Sequence, residues 1–308
     1  MIASFSEHTF PALQASSLLG FMAALGTFRT LAGKTEYSAS RMKWIPQGSS
    51  YCPVLQVPTE ISSDTLLAEL HADLRSVAGH RVFTFEKDLK VTQMVFRNLA
   101  SDMTEAFLNG EGAFGCKMAA AYGCDGIINE EKMIEDTAFR TMSGAGHQHF
   151  LSFMNDLAKE TTLDHLREAI YGPWQYRDPS PVMRWDDEDD RRYALRWDEP
   201  SKDPVRTVRG ANRLAIASLP LFATVPVPRA SLATTGFKGT KSNNTFVTWP
   251  IWKGWLSIDS VQSALALREL QEAQPPHAVL ASRGISAIFR SQRITLGKYR
   301  NFTPARGL

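Results

Sequence analysis

The 308-residue chain holds three cysteines, and beyond Glu272 it holds no acidic side chain at all. So few thiols exclude a disulfide scaffold and fit a reducing compartment. Four common catalytic signatures are also missing: GxxxxGK[ST], GxGxxG after a strand, GxSxG and HExxH. Nucleotide hydrolysis on a phosphate loop, and the usual serine and zinc hydrolase chemistries, therefore lack their motifs. No charged residue falls between Glu7 and Arg29, yet that run contains Pro11, Gln14, Ser16, Ser17, Gly20 and Gly26, and no Lys or Arg precedes it. It lacks the positive n-region of a signal peptide and the about 20 mainly apolar residues of a spanning helix. The expectation is a cytoplasmic protein without membrane contact.

What is present is an ordinary folded composition, 44% apolar and 21% charged. The near-neutral total of +2 hides a segregation. Residues 205–308 carry 14 Lys and Arg against Asp259, Glu269 and Glu272, a balance of +11, while residues 1–204 keep 20 basic and 29 acidic side chains, a balance of −9. Such asymmetry is the footprint of a polyanion-binding half, because Lys and Arg neutralise phosphates with release of counterions. The bland alternative is a solvated face balancing an acidic partner domain.

Helical spacing predicts a first helix buried on two sides. Leu18, Phe21, Leu25 and Phe28 form one stripe, and the small Gly20, Ala23, Ala24 and Thr27 form another. Short strands are expected over 41–45 and 54–57, then a helix capped by Asp64, a strand over 81–85 and a helix over 91–108. The Gly- and Ala-rich stretch from 111 to 126 takes no assignment, and helices over 150–158 and 163–170 follow. Residues 177–181 read as a turn-rich linker leading into the densest acidic run, Asp186 to Asp190. Beyond it a strand is expected over 193–197, a short helix over 212–219, an extended segment over 222–227 and a long polar loop over 230–245. A helix from Asp259 to about 271 and a final strand over 285–294 complete the chain. The expected fold class is α+β, with an acidic N-terminal domain over 1–176, an acidic hinge and linker over 177–204, and a basic nucleic-acid-binding part over 205–308.

No catalytic residue, metal site or cofactor is expected. His147 and His149 are the only closely paired imidazoles, with no Cys or carboxylate cluster beside them in sequence. Cys116 and Cys124 lack CxxC spacing and read as small buried hydrophobes. Five consecutive acids invite a metal-dependent nuclease reading that uses residues 186–190 with His147, but carboxylates in one run point several ways at once, as in a solvated turn.

Recognition chemistry remains. Arg206, Arg209 and Arg213 surround Gly210 at the mouth of a candidate helix, where backbone N–H groups favour an anion. The polar loop offers Lys238 and Lys241 among small hydrogen-bonding residues, as phosphate contacts require. Trp249, Trp252 and Trp255 follow at a spacing of three, and such rings either stack on unpaired bases or fill a core. Arg283, Arg290, Arg293, Lys298 and Arg300 continue the basic run. Arg290 and Arg293 would face opposite ways on a strand, so only one of them would line a given groove.

The order of several segments resembles a family encoded in type I-G (formerly I-U) CRISPR loci. These are residues 17–26 (SLLGFMAALG), 171–174 (YGPW), 190–196 (DRRYALR), 210–215 (GANRLA), 234–237 (TTGF), 249–252 (WPIW), and 283–285 (RGI) leading to 289–291 (FRS). The resemblance implies a large-subunit-like component of a Cascade effector complex, a non-enzymatic ribonucleoprotein subunit of antiviral defence. Its implied partners are crRNA and target DNA, the backbone and guide-processing subunits of Cascade, and a helicase-nuclease. Its implied tasks are to contact the short motif beside the target (PAM recognition) and to support strand separation. A protein-binding scaffold without nucleic acid contact is the alternative to both the nuclease and the binding subunit.

Overall fold

In the computed structural model, which describes residues 5–142, 147–189, 206–228, 231–239, 244–296 and 299–308, the first strand, β1 (Ser6–Thr9), leads into helix α1 (Leu18–Ala32). The Ser17 hydroxyl accepts the Gly20 backbone N–H and closes the first turn of α1. Strands β2 (Arg41–Gln47) and β3 (Ser50–Val57) are joined by two residues, and Gly48 takes φ 57°, a left-handed value that glycine adopts without strain. β3 lies between β1 and β2 in a three-stranded antiparallel sheet.

Helices α2 (Ser63–Ser76), α3 (Arg81–Thr84), α4 (Gln93–Leu108) and α5 (Phe114–Tyr122) come next. Ser62, not Asp64, caps α2 through its side chain. Residues 81–84, expected as a strand, are helical instead. Val82 and Phe83 are adjacent and both buried, which a strand with one face on the core cannot achieve, and the His80 ring caps the turn by accepting the Val82 N–H. A hairpin of β4 (Gly123–Ile128) and β5 (Ile134–Asp136) precedes α6 (Phe150–Glu160) and α7 (Leu163–Tyr171).

The second half opens with α8 (Arg209–Ser218) and a hairpin of β6 (Thr224–Val227) and β7 (Ser231–Thr234). Then come β8 (Phe237–Lys238), β9 (Thr245–Trp252), α9 (Ile258–Leu265), α10 (His277–Ser282), β10 (Ile285–Leu296), β11 (Tyr299–Phe302) and β12 (Arg306–Gly307). The antiparallel order is β11-β10-β9-β8, with β12 also on β10. Part of the expected polar loop over 230–245 is therefore strand, and the expected strand over 193–197 lies outside the described residues. The fold class is α+β. Among the described residues no helix is long and apolar enough to cross a membrane.

Helix α1 holds the layers together through two faces. On one, Phe21 stacks between Trp44 of β2 and Trp249 of β9, each with ring centroids 5.7 Å away, so the helix closes both sheets. Burying rings of this size removes roughly 150–250 Å² each from water, about 4–6 kcal/mol of gross transfer energy per ring. On the other face α1 packs on α8. The closest approach is at Gly26, where an added Cβ would lie 1.8 Å from the Leu214 carbonyl oxygen. Of the small stripe expected to admit another backbone, Gly20 does so against residue 14, its added Cβ lying 2.5 Å from the Gln14 carbonyl oxygen, whereas the contact with α8 falls at Gly26, outside that stripe. A single buried cluster runs from Phe10 to Phe302 and includes Met183 and Trp185.

Candidate nucleic-acid interface

Arginine carries five N–H donors on a rigid fork, and a fold can spend them on phosphate or on its own carbonyls. Most arginines singled out in the sequence do the second. Arg290, on β10, donates from Nε to the Thr248 hydroxyl (2.8 Å) and from Nη2 to the carbonyls of Leu270 (2.8 Å) and Glu272 (2.6 Å). It pins residues 270–273 against the sheet. Arg293 lies on the opposite face of β10, as strand alternation requires, with no exposed surface, and its Nη2 donates to the Arg140 carbonyl at 2.9 Å. Burial, with Arg300 adding repulsion, pulls its guanidinium down to about 10. Arg209 is buried and paired with Glu160, and Arg213 is buried with Nη2 on the Leu74 carbonyl.

The tryptophans are likewise internal. Trp249 donates Nε1–H to the Ala15 carbonyl and Trp252 to the Met42 carbonyl, both at 2.9 Å, and each is 1% exposed. Neither ring presents a face to a base. Trp255 is half-buried, with the Lys43 ammonium 4.0 Å from its ring centroid. These positions correct the expectation that Arg209, Arg213, Trp252, Arg290 and Arg293 line a nucleic-acid surface. All five are buried on elements that face the core, and their donors go to carbonyls, a hydroxyl or a carboxylate of the fold itself.

What stays on the surface is a different set. Arg206 is exposed and touches the Arg177 carbonyl (3.0 Å), Lys238 is exposed on β8, and Arg283 is exposed and paired with Glu269 at 2.7 Å. Lys253, Arg268 and Arg306 are exposed as well. Lys241 and Lys298 lie outside the described residues.

Two expected site residues do meet. Arg293 and Arg300 converge on Arg140, which pairs with Asp136 (2.7 Å) and Asp88 (3.7 Å). Arg300 and Arg140 line a cavity of about 620 Å³, and burial first, then Arg140, lowers the Arg300 pKa. Glu130, Glu131 and Glu135 line the same cavity, so its charge is mixed.

The acidic run is solvated only in part where its side chains are described: Asp186 is buried, Asp187 half-buried and Glu188 exposed. Trp185 and Asp186 are buried, Trp185 Nε1–H donates to the Phe139 carbonyl (2.9 Å), and the Tyr176 hydroxyl donates to Asp186 Oδ2 (3.1 Å). Burial, then the neighbouring Asp187 carboxylate, pushes Asp186 up to about 7. Tyr176 and Asp186 line a cavity of about 520 Å³ together with Tyr171 and Trp174. Among the described residues no group of three His, Cys, Asp or Glu side chains could hold a metal ion. His147 is exposed, with φ 61°, and His149 precedes α6 without capping it through its side chain.

Sequence reasoning passed over Arg29, the sole charge in α1, whose guanidinium is drawn inward to the Ala217 carbonyl (3.1 Å). A lone charge closing an apolar helix was the available signal. Comparison with known family models, with curated proteins and with solved structures finds no match to this chain.

Proposed function

We propose that the protein is a non-catalytic nucleic-acid-binding subunit of a type I-G CRISPR effector complex acting in the cytoplasm. In this role it contacts crRNA and target DNA beside the protospacer, supports strand separation, and docks the other Cascade subunits and the helicase-nuclease. The observation that carries the reading is the charge asymmetry, with +11 over residues 205–308 and no carboxylate side chain after Glu272. Internal use of Arg209, Arg213, Arg290 and Arg293 leaves Arg206, Lys238, Lys253, Arg268, Arg283 and Arg306 facing solvent, which is enough for a salt-sensitive backbone contact. The ordered sequence segments supply the rest of the reading.

The test is coexpression with the genomic neighbours and a guide RNA, followed by gel filtration and by DNA binding at several salt concentrations. Comigration with the complex is expected. So is a log–log salt slope that shrinks by about 0.9 for each phosphate contact removed. Lys253→Glu, Arg268→Glu and Arg306→Glu are the reversals to use, because Arg290 and Arg293 are structural. A protein that stays alone on the column and binds DNA independently of salt would overturn the reading. Plasmid cleavage that needs Mg²⁺ and stops on chelation would replace it with the nuclease, and comigration with the protein subunits without nucleic acid contact would replace it with the scaffold.

A further inference from the structure

The α1–α8 contact ends in a cavity of about 420 Å³ into which two arginines converge, Arg29 from α1 and Arg213 from α8. Arg213 is 2% exposed. Its Nη2 meets the Leu74 carbonyl at the end of α2, and its buried Nε has no partner. Arg29 gives one bond to the Ala217 carbonyl at the end of α8 and lies over the Phe114 ring, 5.8 Å from the centroid. No carboxylate of the described residues balances either guanidinium. Burial lowers Arg29 to about 10 and Arg213 to about 9, and in Arg213 the second cause is repulsion from Arg29 itself. Of the other charges lining the cavity, Lys34 bonds Glu69 at 2.9 Å and forms an ion pair with Asp73 at 3.3 Å, and Lys117 is exposed. Two like charges held together without a counter-ion are costly unless an anion joins them.

The opposite wall of the cavity is the start of α5. Residues 110–115 read GEGAFG, a GxGxxG sequence that follows a helix instead of a strand. Gly110 and Gly112 take φ 88° and 83°, left-handed turns that admit glycine, and a Cβ on Gly115 would lie 2.4 Å from Met103 Sδ. Gly112, Ala113, Phe114 and Lys117 line the cavity, so the first turn of α5 is presented to it. No side chain caps this helix, because the residue at the cap is Ala113. Backbone N–H groups at such an end, with the helix dipole behind them, favour an anion.

We infer that this cavity is a phosphate-binding site, in which Arg29 and Arg213 clamp a phosphoryl group against the glycine-rich start of α5. A planar guanidinium fork matches phosphate oxygens, and Phe83, Phe114 and Ile216 supply an apolar wall beside it. The volume falls within the roughly 300–1,000 Å³ of small-ligand sites. A mononucleotide and the terminal phosphate of an oligonucleotide share this chemistry. The site lies apart from the basic surface of the C-terminal half and stands whether or not that surface binds nucleic acid.

Isothermal titration of the full chain with inorganic phosphate, against chloride at equal ionic strength, tests the site. The wild type is expected to bind one phosphate, Arg29→Gln at least tenfold more weakly, and Lys117→Glu several-fold more weakly. Circular dichroism checks that the variants fold. Lys117 is exposed, so its variant keeps the test valid if Arg29→Gln does not fold. Further titrations with AMP, with a 5′-phosphorylated oligonucleotide and with its 5′-hydroxyl counterpart distinguish the sources. Tighter binding of AMP than of phosphate assigns a small ligand, and a preference for the 5′-phosphorylated strand assigns a nucleic-acid end. Absence of phosphate binding by the wild type, or equal binding by a folded Arg29→Gln, would overturn the site and leave the two arginines as caps of helix C-termini.

Discussion

Gly26 of α1 lies so close to Leu214 of α8 that a Cβ would come 1.8 Å from the Leu214 carbonyl oxygen, 2.8 Å from its carbon and 3.2 Å from the Ser218 nitrogen. All three contacts are backbone, so no side-chain rotation relieves them. Gly26→Ala is therefore expected to push the helices apart and to cost about 1–3 kcal/mol or more. Gly210→Ala is expected to behave alike, since its Cβ would lie 2.0 Å from the His165 carbonyl oxygen, whereas Gly254→Ala has open space around it. Urea unfolding of the three variants checks the order.

Arg293 and Arg306 both belong to the basic run, yet reversing them has opposite consequences. Arg293 has no exposed surface and donates to the Arg140 carbonyl, so Arg293→Glu leaves that buried carbonyl without its donor and sets a second carboxylate beside Asp136 in the interior. A loss of about 3–5 kcal/mol is expected, enough to unfold a marginal protein. Arg306 is exposed on β12. Arg306→Glu is expected to change stability by no more than about 0.5 kcal/mol while weakening binding to DNA. Thermal melts, read beside DNA binding at fixed salt, separate the two effects. A folded Arg293→Glu protein would contradict the burial argument.

The positions of these two arginines mark how far the sequence was legible. Helical and strand periodicity located α1, α4, α6, α7 and β10 because their apolar faces repeat, and strand alternation correctly put Arg290 and Arg293 on opposite faces. It did not tell whether those faces were wet. Charge counts weigh Arg290 and Arg306 equally, although only the three-dimensional path brings the Leu270 and Glu272 carbonyls to Arg290. GEGAFG was hidden for a related reason: the dinucleotide pattern expects a strand before it, and α4 precedes it instead. Its relation to Arg29 and Arg213 spans three separate helices, which no local window contains.

Asp186 sets a pH dependence whose direction follows from its raised pKa of about 7. A carboxyl whose folded pKa lies above its unfolded value of 3.8 favours the folded chain fully below pH 3.8. That contribution fades as pH climbs from 3.8 to about 7 and is gone above it, a change of a few kcal/mol at about 1.4 kcal/mol per pH unit. Asp186→Asn removes the titration and keeps an oxygen to accept the Tyr176 hydroxyl. The variant is expected to melt above the wild type at pH 8, with the gap closing towards pH 4. Equal melting temperatures at both ends would show that Asp186 titrates normally.

Trp249 and Trp252 offer a final contrast, because both bury an indole N–H on a carbonyl but leave different atoms behind when shortened. Trp252→Phe frees the Met42 carbonyl, which still accepts the Leu256 backbone N–H at 3.0 Å. Trp249→Phe strips the Nε1–H donor from the Ala15 carbonyl, in the segment that leads into α1. Both variants lose indole packing, and an unsatisfied buried carbonyl adds about 1–3 kcal/mol. Trp249→Phe is thus expected to be the more destabilised of the two in urea, and neither substitution is expected to change the affinity for single-stranded DNA measured in conditions where the variant is folded. A specific loss of that affinity in folded Trp252→Phe would restore the base-stacking role that its burial argues against.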